Sequence, residues 1–388
     1  MRLAHGGSFF LILSQILHNM ALKCGIIGVA NVGKSTLFNC MSNTRVETSS
    51  FAFTSNKSNV GMVNVPDPRL YHLEKFQATE KIIPATVEIV DIPGLTRGAS
   101  QGEGVGNKFL SDIRNTDALI QVLRCFDDDQ LPHIDGSVNP IRDIETINLE
   151  LQVKDLESVE KKMERLAKIA KTGDKDARQG IEVLTRYKAH LEDFKNARNL
   201  EVSETERKHV EDLSLLTSKP VMFVCNVEDE AAIEGNTYVE QVKEYLAAEE
   251  TGEDTEILVL AARLESEIAE LEDEEDRKEF LADAGLEEPG VNKLIRSAYS
   301  MLNLISFFTV GPKEIRAWTI RKGALAPDAA GAIHSDLQRG FIRAEVMKYE
   351  DFVSLGSEQA CKDKGKLSVE GKNYVVDEAD ILHIRFNV

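Results

Sequence analysis

Cysteine is scarce in this chain, and the few that occur form no framework. Cys24, Cys40, Cys125, Cys225 and Cys361 are spread over 388 residues. Their number is odd and no C-x-x-C pair occurs. This excludes a disulfide scaffold and a cysteine zinc site, and it predicts a reducing compartment, the cytoplasm. No apolar run reaches the length of a membrane span, so no membrane partner is expected. Internal repeats and low-complexity tracts are absent. Positive charge is also short, with a formal net charge of −19. That deficit is local: residues 249–288 hold 17 acids against 3 bases, a solvated helix face, whereas 304–388 balance at 12 of each. A neutral C-terminal module can present a basic face to RNA while the middle of the chain repels phosphate.

What is present fits a soluble protein of two or three domains, with 42% hydrophobic and 29% charged residues. Residues 1–19 carry Arg2, Phe9-Phe-Leu-Ile-Leu13 and no acids, in the manner of a targeting peptide. The apolar run is short and no small-x-small cleavage site follows. This stretch is read as an extension outside the fold, with Met20 as the effective start.

The chain is organised around Gly28-Val-Ala-Asn-Val-Gly-Lys34-Ser35-Thr36, which fits G-x-x-x-x-G-K-[ST]. Gly28 and Gly33 let the backbone turn its N–H groups onto a triphosphate. Lys34 reaches the β/γ-phosphates, and the Ser35 hydroxyl suits Mg²⁺. The context is right: a strand (Leu22–Ile27) enters the loop and a helix (Ser35–Met41) leaves it. A hydroxyl-rich stretch, Glu47–Asn59, is predicted as loop, then Gly61–Val65 and Thr86–Val90 as strands. The second runs into Asp91-Ile-Pro-Gly94, where a carboxylate holds the metal through water and Gly94 offers an N–H to the γ-phosphate. The glycine-dense Gly94–Gly106 is expected to change shape with that phosphate. Leu95 stands where many switch proteins carry the glutamine that orients water.

From Asn139 to about Leu200 the period is helical. Leu156, Val159, Met163, Leu166 and Ala170 form one seam; Ala177, Ile181, Leu184, Tyr187, Leu191 and Phe194 form another, after a break at Thr172-Gly-Asp174. An inserted antiparallel hairpin follows from this. Strands return at Ala118–Arg124, Pro220–Cys225 and Glu256–Leu260. A small β-rich module closes the chain, with strands at Ser306–Val310, Glu314–Ile320, Gly340–Val346, Asn373–Val376 and Ile381–Phe386.

Base choice is read from Asn226-Val-Glu-Asp229 against the guanine-reading N-K-x-D. Val227 removes the lysine stem that packs along the ring. Asn226 can serve adenine through N7 and N6, whereas Asp229 returns a carboxylate to the guanine-reading place. The missing lysine outweighs the returned aspartate, so ATP is expected to bind tighter than GTP, with GTP still measurable.

These motifs, with Pro66-Asp-Pro-Arg-Leu70, Gly98–Asn107, Arg124-Cys-Phe126, Leu216-Thr-Ser-Lys-Pro220, Gly340-Phe-Ile-Arg-Ala-Glu345 and His383–Val388, resemble the Obg-like ATPase (YchF) family over nearly the whole chain from Met20. The resemblance implies an α/β fold: a doubly wound phosphate-loop nucleotide domain with an inserted antiparallel helical hairpin and a C-terminal β-rich TGS domain. The expected boundaries are 1–19 (extension), 20–138 and 213–303 (nucleotide domain), 139–212 (hairpin) and 304–388 (TGS). It also implies a slow, Mg²⁺-dependent ATP hydrolase that associates with the ribosome through the large subunit, with an RNA contact through the TGS domain, and regulates translation or stress. A GTPase of the same architecture, or a TGS ribosome-binding protein using nucleotide as a structural ligand, are the alternatives.

The implied nucleotide-binding residues are Asn31, Val32, Gly33, Lys34, Ser35, Thr36, Gly94, Asn226, Val227 and Ala262. The implied metal ligands are Ser35, Ser55 and, through water, Asp91. In the absence of the glutamine, His133 falls at the position of the family's proposed catalytic histidine. Asn31 is expected to help hold K⁺ between the phosphates, or else to make a simple loop hydrogen bond. The chain departs from the family pattern at Ala30, Pro93 and Ser55-Asn-Lys-Ser-Asn59, where Thr-Ile-Glu-Pro-Asn is usual.

Overall fold

A computed structural model describes residues 22–42, 59–94, 105–248 and 255–387. Strands β1 (Lys23–Ile27), β2 (Asn59–Asn64), β3 (Ile82–Ile83), β4 (Thr86–Asp91), β5 (Ala118–Arg124), β6 (Val221–Asn226) and β7 (Ile257–Leu260) precede the C-terminal β8 (Leu304–Val310), β9 (Ile315–Arg321), β10 (Phe341–Met347), β11 (Leu367–Glu370) and β12 (Ile381–Phe386). One sheet runs β2-β4-β1-β5-β6-β7, parallel except for the antiparallel edge pair β2/β4. Buried β-branched and leucine runs suit its central strands, because helices cover both faces of a parallel sheet. The order reverses beside β1, and the phosphate loop leaves β1 at that switch point.

The helix Lys34–Ser42 buries Leu37, Phe38 and Met41 against the sheet and against Val291, Leu294 and Ile295 of helix Gly290–Met301. Each such side chain contributes about 1.5–3 kcal/mol. That burial fixes the axis on which the phosphate loop is mounted.

The hairpin forms as expected. Asn139 caps helix Pro140–Ala170 by accepting from the Arg142 N–H, with Pro140 in the first turn. Gly173 turns at φ 93° and Asp174 caps Lys175–Glu192. The seam holds with one correction: Phe194 is 73% exposed, because the helix ends at Glu192 and Phe194 turns left-handed at φ 54°. Asp155 fastens the hairpin to the nucleotide domain, accepting from the Leu216 and Thr217 N–H groups at 2.7 and 2.8 Å and from the Thr217 hydroxyl at 2.7 Å.

The second sheet runs β11-β10-β12-β8-β9-β3. Two points differ from expectation. Asn373–Val376 is no strand; it is a turn that makes a single bridge, Leu325 to Val375. And β3, from the nucleotide half of the chain, completes the C-terminal sheet by pairing parallel with β9. One hydrophobic core consequently runs from Leu70 and Leu73 through to Phe308, Ile315, Phe352 and Ile381. His72 Nδ1 meets the Tyr349 hydroxyl at 2.9 Å across this junction, and Arg69 pairs with both Asp67 and Glu378. Among the described residues, no helix is long and apolar enough to cross a membrane. All five cysteines are free and buried.

Candidate nucleotide site

The phosphate loop owes its shape to close approaches that only glycine permits. At Gly28 a Cβ would lie 2.6 Å from the Val122 carbonyl; at Gly33, φ 97°, it would collide with the Asn226 amide. Asn31 adopts φ 64°, a left-handed value that asparagine tolerates.

Lys34 is 6% exposed, and its Nζ donates to the Val29 carbonyl at 2.6 Å, so the ammonium is folded back along its own loop. Burial pulls Lys34 down to about 8, against the upward pull of Asp91. Asp91, at the C-terminal end of β4, accepts from the Ser35 hydroxyl at 3.2 Å. Burial pushes its carboxyl up, with the Ser35 hydrogen bond and the Lys34 charge pulling back. A Cβ on Gly94 would lie 3.1 Å from Lys34 Nζ and 3.3 Å from the Ala30 nitrogen. Lys34, Ser35, Asp91 and Gly94 therefore converge as expected. A hydroxyl and a carboxylate in contact beside a buried ammonium are the donor set for a hydrated divalent cation carrying phosphate oxygens. Ser55 and Leu95 lie outside the described residues, as does the glycine-dense stretch up to residue 104.

The base-side residues also meet, in an arrangement that limits Asn226. Its Nδ2 donates to the Val32 carbonyl at 3.0 Å, and its Oδ1 accepts from the Ala262 N–H at 2.8 Å. The side chain ties the phosphate loop to the start of helix Ala262–Glu270, leaving one N–H and one lone pair for a ligand. Val227 is 4% exposed. Asp229 lies 3.7 Å from Arg263 Nε; burial raises its carboxyl while Arg263 lowers it.

His133 is not in the phosphate site. Its ring is buried, Nε2 lies 3.1 Å from Asp143 Oδ2, and Nδ1 accepts from the Asp135 N–H at 3.1 Å. A loop histidine reads as solvated; this one is enclosed because the first turn of the hairpin helix covers it. Its loop nevertheless reaches the site, since Asn31 Nδ2 donates to the Pro132 carbonyl at 3.4 Å.

Arg124 and Asp143 escaped the sequence reading as functional positions. Arg124 is 1% exposed and donates to the carbonyls of Phe126 (3.1 Å), Leu131 (2.6 Å) and Asp128 (3.3 Å), pinning the loop that leads to His133. The available signal was an arginine ending an otherwise buried strand. A cavity of about 1570 Å³ lies elsewhere, between helix Glu274–Asp283 and the C-terminal domain, and does not include the phosphate loop.

Comparison with known proteins agrees with this geometry. Residues 23–185 match a family model described as a 50S ribosome-binding GTPase, and residues 304–387 match the YchF GTPase C-terminal model, described as a protein of unknown function. The chain is 49% identical over 371 residues to the ribosome-binding ATPase YchF of Bacillus subtilis, covering 95% of this chain and all of that protein. It is 46% identical over 369 residues to that of Haemophilus influenzae, with the same coverage. The solved structure of the Schizosaccharomyces pombe YchF GTPase superposes with a TM-score of 0.83 at 35% identity, covering 94% of this chain and 98% of that one. The chain belongs to the YchF family of phosphate-loop proteins.

Proposed function

We propose that this nucleoside triphosphate hydrolase takes Mg²⁺-ATP in preference to Mg²⁺-GTP and reports its nucleotide state to the ribosome in the cytoplasm as a regulator of translation or stress. The Ser35–Asp91 contact at 3.2 Å beside Lys34 carries the chemistry. Ser35 would ligate Mg²⁺ directly and Asp91 through water, with Ser55 completing the shell. The bound metal supplies neutralisation of the phosphate charge that builds during transfer. Asn31 to Thr36 and Gly94 would cradle the phosphates, and Asn31, whose Nδ2 donates to the Pro132 carbonyl, would help hold K⁺ between them.

Preference for adenine rests on the base side. Val227 offers no lysine stem, and Asp229 already faces the Arg263 cation, so guanine would compete for that carboxylate. Asn226 keeps one donor and one acceptor for adenine, beside Val227 and Ala262. Relatives at 46–49% identity are named ribosome-binding ATPases, and the nucleotide-domain family description specifies the 50S particle. The C-terminal domain, read as TGS, carries Arg343, His383 and Arg385 at its surface, each beside Glu345 or Glu358, and an RNA contact there would have to displace those carboxylates. His133 is assigned the water-orienting role that Leu95 cannot fill.

Titration of ATP and GTP with Mg²⁺ into wild type and Asp229→Ala, with phosphate release followed with and without ribosomes, tests this reading. ATP is expected to bind tighter in both proteins. A GTP advantage that disappears in Asp229→Ala makes the protein a GTPase, and nucleotide binding without turnover on or off the ribosome makes the nucleotide a structural ligand.

A further inference from the structure

Three separate parts of the chain converge on the loop between β5 and the hairpin. Arg124 holds its first half through the carbonyls of Phe126, Asp128 and Leu131. The phosphate loop touches it through Asn31 and Pro132. The hairpin helix grips it at the next residue, through Asp143 and His133. A neutral imidazole has one donor and one acceptor. Here Nε2–H donates to Asp143 and Nδ1 accepts from the Asp135 N–H, so both are filled, and the side chain is 2% exposed. Arg142 Nη2 stands 3.4 Å from Nδ1 and its Nε 3.6 Å from Asp135, closing the remaining approach.

In a dyad that activates water, the carboxylate takes one ring nitrogen and the other faces substrate. That arrangement is ruled out in this conformation, because the second nitrogen is bonded inside the loop. We propose that Asp143 is a positioning residue that holds His133 out of the nucleotide site, so that hydrolysis requires the His133–Asp143 hydrogen bond to open. The inference rests on the assignment of His133 as the water-orienting group. Asp143 lies in the first turn of helix Pro140–Ala170, so any partner that shifts the start of the hairpin parts the pair. Because Arg124 retains residues 126–131, the segment set free is the short one from Pro132 to Asn139. Asn31 already contacts that segment, so the freed ring starts beside the phosphate loop.

The test is steady-state and single-turnover ATP hydrolysis, without ribosomes, by the full-length chain and its D143N, D143A, H133A and D143A/H133A variants. Loss of one such buried hydrogen bond shifts the population of the released loop about fivefold. D143A, which removes the acceptor, is expected to raise kcat by that factor with KM unchanged. D143N, whose amide oxygen still accepts from Nε2–H without the charge, is expected to raise it by a smaller factor, and the double variant to fall to the H133A rate. A restraint also predicts faster hydrogen exchange of the Asp135 amide in D143N, whose side chain keeps the volume of aspartate. If D143A does not fold, D143N decides through its rate and that exchange. A D143N rate at or below wild type, while H133A is slowed, overturns the restraint; a fall matching H133A makes Asp143 an orienting partner instead. An unchanged H133A rate removes the assignment of His133, and the restraint with it.

Discussion

Two buried polar clusters flank the end of β5, and they use their hydrogen-bonding capacity in opposite ways. In the phosphate loop, Lys34 carries three donors and donates to its own loop at Val29, and Ser35 and Asp91 form one contact between them. The cluster is held in shape by glycine backbone and by Asn226, so its charged side chains keep capacity for a ligand. Behind it, Arg124 donates to three carbonyls, and His133 uses both ring nitrogens on Asp143 and Asp135. In that second cluster Arg124 and the His133 ring are engaged, and Asp143 Oδ1 is the buried acceptor left over. The difference teaches that burial and charge alone do not mark a binding group; unspent donors and acceptors do.

The contrast breaks most readily at Arg124. Arg124→Ala is expected to destabilise the fold by about 3–6 kcal/mol, one to two for each carbonyl left without its donor, with little change in nucleotide affinity for the fraction that folds. Thermal or urea unfolding, paired with nucleotide titration, checks this; an affinity loss at unchanged stability would merge the two clusters into one site. Lys34→Ala should do the reverse. It removes charge-assisted bonds to the β/γ-phosphates, a loss of about 1.5–3 kcal/mol, or roughly ten- to a hundredfold in affinity, and it leaves the nucleotide-free protein no less stable. Isothermal titration and a melting curve give both numbers.

The smallest effect is a pH dependence with two signs. Lys34 in the free protein titrates near 8 rather than the ordinary 10.5 because it is buried. Nucleotide binding needs the charged form, so affinity holds below pH 8 and falls above it, by at most about tenfold per unit. Folding runs the other way: the unfolded chain keeps the proton up to 10.5, so between 8 and 10.5 it binds more protons than the folded one. The contribution of this group to stability therefore rises with pH across that window. Opposed slopes in titration and unfolding from pH 7 to 9.5 would sharpen the comparison, and parallel slopes would break it.

Much of this was legible in the sequence where local pattern decides structure. The strand, loop and helix around Lys34, the Asp91–Gly94 turn and both hairpin helices follow from period and turn chemistry. What failed depends on partners distant in sequence. Phe194 continued the apolar period, but the helix had already turned left-handed. Asn373–Val376 alternates like a strand and finds one bridge instead of a neighbour. Ile82-Ile83 is too short to read as a strand and becomes one because β9 offers an edge. The roles of Asn226, Arg124 and Asp143 were hidden for the same reason: each is defined by a backbone group or ring supplied by another part of the chain.

The β3–β9 pairing has a consequence for how the protein is made. During synthesis β3 leaves the ribosome with the first part of the nucleotide domain, while its partner follows after well over half of the chain has intervened. Until then β9's future neighbour is a short edge segment with nothing to pair with, and a chain stopped before residue 304 would leave it so. Contacts between such distant segments close late and slow the final step of folding. Arrest-peptide or limited-proteolysis experiments on nascent chains of increasing length should find the Ile82 region becoming protected only once Arg321 has emerged. The C-terminal domain is in this sense the last piece of the nucleotide domain's own assembly.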